Sequence, residues 1–395
     1  MSDPSPLPDV FRLSCPICKL DVLVESLDRW GCSRCRGPVR VEPIAHPDVL
    51  RAFAAIRRHF GPVEVTDTDF ALAFLYRETP TPFERLKDEF EAIGFLPFLR
   101  PFGTARLCQV VPRPRRKPML LPRHVLLFSL TLATTLWVGY DSGLRMVSAG
   151  QASSAVGVAA AYAAALFLIL GGHEMGHFVV ARKTGTEASL PYFLPGPPPV
   201  GTFGAMISLR TPAPNRDAAI LLAAAGPFAG FLLSIPVLWY GLSLSPVLGV
   251  AAAPGSRVFA LGEPLLYRLL GAPSGLTTAT IHPVGFAGFI GLFTTMLNLM
   301  PVGQLDGGQI ARALLGGPGH RACSYVVLGV LFILGCAFWP GWTMLSFIGL
   351  ILTLRGHPGS LDEVRPLKWQ SLGVAVLALA VFALSFALAP FAEVR

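Results

Sequence analysis

The sequence predicts a polytopic α-helical membrane protein of about six to eight transmembrane helices, with a small cysteine-rich segment and an α/β module at its N-terminus. Three observations predict this. Of 395 residues, 52% are hydrophobic and only 14% charged, against about a quarter charged in ordinary soluble domains. The deficit is uneven: residues 1–118 read as a charged soluble chain, and long apolar runs alternate with short polar loops from Met119 onward. Two CxxC pairs stand near the start. Residues 1–30 hold no apolar core behind a basic start, so no secretory signal is expected.

Residues 1–10 are Pro-rich and are expected to be a disordered tail. Residues 11–45 carry "CPIC" (Cys15–Cys18) and "CSRC" (Cys32–Cys35). Four thiolates at this spacing suit one tetrahedral structural zinc held between two knuckles, a zinc ribbon. The rival is a pair of disulfides or redox thiols, which a cytoplasmic location disfavours. Residues 46–112 read as a small α/β cytoplasmic module. Val63–Tyr76 is rich in strand formers. Thr81–Phe95 has helical spacing, with Phe83, Leu86, Phe90 and Ile93 on one face, Pro82 in its first turn and Gly94 at its end. Ala105–Val111 reads as another strand. Residues 113–120, containing "RPRRKP", form a basic linker.

The membrane domain occupies 121–395. Candidate spans are about 121–139, 155–180, 217–242, 283–300, 321–338, 340–355 and 369–390. "WPGW" (Trp339–Trp342) makes the fifth and sixth either a tight hairpin or one broken segment. Alternate threading places the basic clusters at 113–123, 182–183, 210–216, 312–321 and 355–368 on one side, leaving Arg145, Arg257, Arg268 and Arg395 opposite. The positive-inside rule then puts the N-terminal part in the cytoplasm. This distribution also accounts for the net charge of +8. Basic stripes interleaved with aromatics are absent, so no nucleic-acid partner is expected.

The second span contains "HEMGH". Positions i and i+4 share a helix face, so His173 and His177 can bind one metal, with Glu174 beside it. Two neutral imidazoles suit Zn²⁺, and the carboxylate can take a proton from water activated there. Ionisable residues in membrane spans are costly and usually functional. A catalytic zinc needs a third protein ligand. The candidate is Asp306, the only acid between Glu263 and Asp362. It lies in "NLMPVGQLDGG" (Asn298–Gly308), beyond a helix-breaking Pro301. The alternative is an Asp that caps the helix of Gln309–Gly316.

HEMGH together with the later N-x-x-P-x-x-x-L-D-G-G resembles the site-2 protease family of intramembrane zinc metalloproteases. Pro191–Arg210, Pro214–Gly230 and His282–Gly308 resemble its plastid and cyanobacterial-type branch, and the likeness covers about residues 120–370. It implies that His173, His177 and Asp306 hold a catalytic zinc, that Glu174 is the general base, and that Asn298 contacts the substrate backbone or the oxyanion. It also implies an endopeptidase acting in the lipid bilayer on a membrane-anchored protein. No PDZ-like insertion is visible.

Pro191–Arg210 is expected to be a hairpin turning at "GPPP" (Gly196–Pro199). Its alternating Ala205–Leu209 stretch could pair with an unwound substrate segment. Gly226 and Gly230 read as a small-xxx-small packing pair. His320 and His357 read as helix-end caps, His282 begins a span with no assigned role, and Cys108, Cys323 and Cys336 read as apolar fillers. The ribbon could recruit a protein partner. Two rivals remain. A catalytically inactive scaffold for membrane clients would need no Glu174. A metal or solute transporter would show internal repeats and several midplane charges, and this sequence has neither.

Overall fold

The computed structural model describes residues 10–25, 32–44, 46–68, 71–78, 81–114, 121–245, 259–271, 275–277 and 281–393. The expected tail and most of the basic linker lie outside them. The chain divides into two units, 1–116 with 360–366, and 117–359 with 367–395.

The first unit contains β1 (Phe11–Ser14), β2 (Asp21–Val24), β3 (Arg40–Pro43), α1 (Pro47–Phe60), β4 (Val65–Thr68), β5 (Ala71–Tyr76), α2 (Phe83–Ala92), β6 (Phe95–Phe102) and β7 (Ala105–Pro112). The strands form one antiparallel sheet in the order β3-β1-β2-β4-β5-β7-β6. Strand alternation turns Leu72, Phe74 and Tyr76 of β5 inward, onto Phe53 and Ile56 of α1 and Leu86 and Phe90 of α2. That is the half-buried pattern of a sheet covered on one face. Gly94, at φ +86°, ends the α2 segment.

Three sequence expectations change here. Val63–Tyr76 is a hairpin of two strands, with Thr66 opposite Ala73. The 45/46 domain boundary disappears, because β2 of the cysteine segment pairs directly with β4 (Val22 opposite Thr66). Residues 360–366 leave the expected 121–395 domain and join this unit. Leu99 N–H donates to the Leu361 carbonyl at 2.7 Å and Glu363 N–H to the Leu99 carbonyl at 3.0 Å. Arg100 adds bonds to the Ser360 carbonyl and to Glu363. No hydrophobic run marks so short a pairing, a single bridge between Leu99 and Asp362, so the sequence hides it.

The second unit contains α3 (Leu121–Ser148), α4 (Ala155–Lys183), β8 (Tyr192–Pro195), β9 (Thr202–Met206), α5 (Arg216–Ser243), β10 (Phe259–Leu261), α6 (Leu265–Leu269), α7 (Pro283–Asn298), α8 (Asp306–Ala337), α9 (Pro340–Leu354), α10 (Trp369–Ser385) and β11 (Phe391–Glu393). Helices α3, α4, α5 and α8 are long and apolar enough to cross a membrane, and α7, α9 and α10 are shorter apolar helices. At about 1.5 Å per residue, those three fall short of a hydrocarbon core of about 30 Å.

α7 is apolar all round and buried along most of its length, as expected of a helix at the centre of a bundle. Its backbone touches that of α5: a Cβ on Gly241 would lie 2.0 Å from the Gly285 nitrogen. The outer faces carry exposed Leu126, Phe128 and Trp137 on α3, Val326 and Ile333 on α8, and Val376 and Leu379 on α10. This is a membrane protein with a helical core and a separate sheet unit. α8 is two helical segments joined at a kink, where Gly316 leaves the helical conformation at φ +71°; the expected span of about 321–338 lies in its second part, and Gln309–Gly316 lies in its first. α8 and α9 are two helices, resolving "WPGW" as a hairpin turn.

Candidate metal centre

His173, Glu174 and His177 fall in the buried half of α4, at 3%, 4% and 6% exposure. Asp306 is the first residue of α8. Its Oδ2 lies 3.2 Å from His177 Nε2 and 3.5 Å from His173 Nε2, and the two Nε2 atoms are 3.2 Å apart. A tetrahedral ion with bonds of about 2.0–2.1 Å has ligand–ligand edges of about 3.3–3.4 Å. The three donor atoms therefore fit the face of one such tetrahedron, leaving its fourth corner open. His177 Nδ1 donates to the Leu222 carbonyl at 2.8 Å, which leaves the Nε2 lone pair directed at the cluster. Asn298 Nδ2 stands 3.2 Å from His173 Nε2. The Glu174 carboxylate faces the backbone N–H of Ile207, just past β9.

Asp306 does not cap α8. The N-cap is Leu305, without a side-chain cap, and the Asp306 carboxylate turns to the histidines instead. Its place depends on the loop after α7. A Cβ on Gly307 would sit 2.0 Å from the Leu299 carbonyl oxygen, and one on Gly308 would sit 2.4 Å from that of Gly303. The Gly pair thus lets α8 start against this loop. His320 Nε2 donates to the Gly303 carbonyl at 3.0 Å. The residue read as a helix-end cap is therefore a buried clamp on the loop preceding Asp306.

α5 supplies the rest of the scaffold. A Cβ on Gly226 would lie 2.1 Å from His177 Nε2, and one on Gly176 would lie 2.4 Å from the Ala225 carbonyl oxygen. Gly226 makes room for the imidazole itself. The segment Asn215–Asp217 ties three helices together. Asn215 caps α5 through the Ala218 N–H. Arg216 donates to the Ala313 and Leu314 carbonyls at 2.6 and 3.1 Å, beside the break at Gly316. Asp217 accepts from Lys368 N–H and Ser371 Oγ at the start of α10. These partners are distant in sequence, and only the adjacent Asn-Arg-Asp hinted at them.

Residues 161–338 match the model of peptidase family M50. This segment is a peptidase family M50 domain. The chain is 37% identical over 219 residues to "Probable zinc metalloprotease EGY1, chloroplastic" of Arabidopsis thaliana, covering 52% of this chain and 39% of that protein. It is 32% identical over 222 residues to "Probable zinc metalloprotease EGY2, chloroplastic" of the same plant, covering 54% and 39%, and 34% identical over 220 residues to the EGY2 protein of Oryza sativa subsp. indica, covering 53% and 39%. The aligned part thus spans about two-fifths of the length of these curated relatives. No solved structure matches.

Within the M50 domain, β8 and β9 form the expected hairpin, with Tyr192 opposite Met206. β9 begins at Thr202, three residues before the Ala205–Leu209 stretch read from the sequence, and ends at Met206. Phe203, 74% exposed, and Met206 point outward. The hairpin is anchored to α3 by His124, which stacks on Tyr192 at 4.0 Å and donates from Nδ1 to the Pro191 carbonyl. His282 caps α7, its Nδ1 accepting from Val284 N–H. His357 Nδ1 accepts from Gly359 N–H.

The four cysteines lie outside the M50 match. Cys15 and Cys35 Sγ are 3.5 Å apart, Cys18 and Cys32 Sγ 3.4 Å, and all four sulfurs are within 4.8 Å of one another. A tetrathiolate zinc with bonds of about 2.3 Å has edges of about 3.8 Å, so the set brackets that size. The two turns repeat each other. Lys19 N–H donates to the Cys15 carbonyl and Arg36 N–H to the Cys32 carbonyl, with Lys19 and Arg36 both at left-handed φ. Backbone N–H groups of Cys18 and Ile17 hold the Cys15 thiol down to about 6, and those of Cys35 and Arg34 lower Cys32. All seven cysteines are free. Cys108 is buried and Cys336 exposed, so the filler role suits Cys108 alone of those two.

Proposed function

We propose that this chain is an intramembrane zinc-dependent endopeptidase that cuts a membrane-anchored protein within or beside its transmembrane segment. The observation carrying this reading is the convergence of His173, His177 and Asp306 on one ion-sized point, with Glu174 adjacent, inside an apolar helical bundle. The names of the plant relatives agree with it. Zinc held there would lower the pKa of water and polarise the scissile carbonyl. Glu174 takes the proton of the attacking water and returns it to the leaving amine. Asn298, beside His173 Nε2, donates from its amide to the substrate carbonyl as negative charge develops. The β9 strand, on the Glu174 side of the cluster, pairs with an unwound client segment by strand addition.

The four cysteines are assigned a second, structural zinc within residues 11–45, in a ribbon that extends the sheet of the 46–112 module. The sheet unit is assigned to the cytoplasmic side by the basic flanks of the spans, and the ribbon to binding a protein partner.

The test is cleavage in proteoliposomes holding the full chain and a set of tagged single-span segments. The expected result is cleavage in or beside the apolar stretch, abolished by a chelator, restored by zinc, and absent in Glu174→Gln. Cleavage that persists undiminished in Glu174→Gln would defeat the assignment. Ion flux that is independent of Glu174 would favour a transporter instead.

A further inference from the structure

The β8–β9 hairpin is fastened to helices at both ends. At its turn, Tyr162 of α4, 1% exposed, donates its hydroxyl to the Val200 carbonyl at 2.7 Å. Thr134 of α3 has its shortest hydroxyl bond to the Gly201 carbonyl, at 2.7 Å, against 3.0 Å to the Leu130 and Thr131 carbonyls of its own helix. Gly201, at φ +86°, brings the turn onto α3: a Cβ there would lie 2.9 Å from the Thr134 carbonyl oxygen. At the other end, the Ile207 N–H just past β9 faces the Glu174 carboxylate. There the hairpin continues through Ser189 N–H, which donates to the Ser208 carbonyl at 2.9 Å.

One helix thus holds both ends of one strand. Tyr162 and Glu174 are separated by about 18 Å along α4, at about 1.5 Å per residue. Val200 and Ile207 are at most about 23 Å apart, at about 3.3 Å per residue. β9 therefore runs beside α4 from the level of the turn to the level of Glu174. β8 and β9 make a two-stranded sheet, with β8 turned to α3 through Tyr192 on His124 and Phe193 on Phe128. The second edge of β9 has no strand paired to it among the described residues. Strand pairing transmits register, since a slip moves every paired group along together. A client strand on that edge is placed against Glu174 by wherever β9 itself is held.

We propose that Tyr162 and Thr134 are positioning residues that decide which bond of the client is cut. Their hydroxyls fix β9 lengthwise beside α4, so that a strand paired with it presents one peptide bond to the metal centre. Neither residue touches the reacting atoms. The inference rests on the protease reading and on strand addition to β9.

The experiment maps the cut by mass spectrometry of the fragments released from a tagged single-span segment, in proteoliposomes holding the full chain. Metal at each site is followed in cobalt-loaded samples, in which the histidine–carboxylate and thiolate sites have distinct spectra. Tyr162→Phe removes one hydroxyl and keeps the ring; Thr134→Val removes the other and keeps the shape; Thr134→Ser keeps the hydroxyl. The expected result is one main cut in the parent and in Thr134→Ser. Tyr162→Phe and Thr134→Val should each lower kcat/KM by about 2–10-fold and spread the cut to bonds on either side, with both metal spectra unchanged. The double variant should spread it further; should that variant lose its metal, Tyr162→Phe alone still reads the hydroxyl. A position of cleavage that stays single in Tyr162→Phe and in Thr134→Val overturns the positioning role and leaves the protease reading standing, because a merely structural loss lowers the active fraction without moving the cut. Spreading in Thr134→Ser equal to that in Thr134→Val assigns the effect to packing and overturns the role of that hydroxyl. A parent that cuts nothing, or a Glu174→Gln variant that cuts as well as the parent, overturns the protease reading and this inference together.

Discussion

The two clusters of potential metal ligands are assembled in opposite ways. The cysteines come from two copies of one short turn, each closed by its own backbone hydrogen bonds between Cys15 and Leu20 and between Cys32 and Gly37. The His173–His177–Asp306 cluster comes from two helices, α4 and α8, and meets only because α5 and the loop after α7 hold them in place. Local turns can present thiols with little help from a core. Imidazoles and a carboxylate inside a bundle need glycines where helices cross, clamps on loops, and partners for every buried polar atom. The difference teaches where each site is vulnerable: the first at its ligands, the second at residues that touch no ligand atom as well.

The largest effect should come from the chemistry itself. Glu174→Gln should lower cleavage of a transmembrane reporter by about 10²–10⁴-fold while both sites keep their metal, measured by turnover and metal content on the same samples. Gly226→Ala should come next. Its methyl group would sit 2.1 Å from His177 Nε2, so the histidine site should lose metal and the bundle about 1–3 kcal/mol from overpacking. The cysteine site should be unchanged in the cobalt spectrum. Metal retained at both sites in Gly226→Ala would break the contrast drawn above.

Arg216→Ala should have a smaller effect, because it touches the site only through α8. Losing the bonds to the Ala313 and Leu314 carbonyls should cost about 1.5–3 kcal/mol, read as a lower Tm of the membrane domain with the thiolate spectrum intact. The smallest effect on cleavage should come from Cys15→Ser/Cys18→Ser. The thiolate metal should be lost and the sheet unit should become protease-sensitive, while a reporter that needs no recruitment is still cut. Loss of reporter cleavage in step with the thiolate metal would show that the two sites are coupled.

The same contrast decides what the sequence could reveal. CxxC spacing and the i, i+4 histidines are local, so Cys15, Cys18, Cys32, Cys35, His173 and His177 were all legible. Asp306 stood out because it is the only acid in a long apolar stretch, and the motif around it resembled a known family. Most helices were legible from their apolar runs. What escaped was non-local. Residues 360–366 look like a loop between spans, and nothing in them announces pairing with β6. The break at Gly316 was legible, since Gln309–Gly316 read as a helix apart from the span that begins near 321; what the sequence hides is how closely the two parts follow each other. Gly226 read as a packing residue because sequence shows a missing side chain but not the ring that fills its place. His320 read as a helix-end cap and Arg216 as one of a basic cluster, because their carbonyl partners are distant in sequence.

The most direct test of the account is zinc per chain in the purified, metal-replete protein, beside the double variant His173→Ala/His177→Ala. The account predicts two zinc ions in the parent and one in the variant, the remaining ion being held by the four cysteines. A folded variant that binds as much zinc as the parent would contradict it, because HEMGH would then not be a metal site.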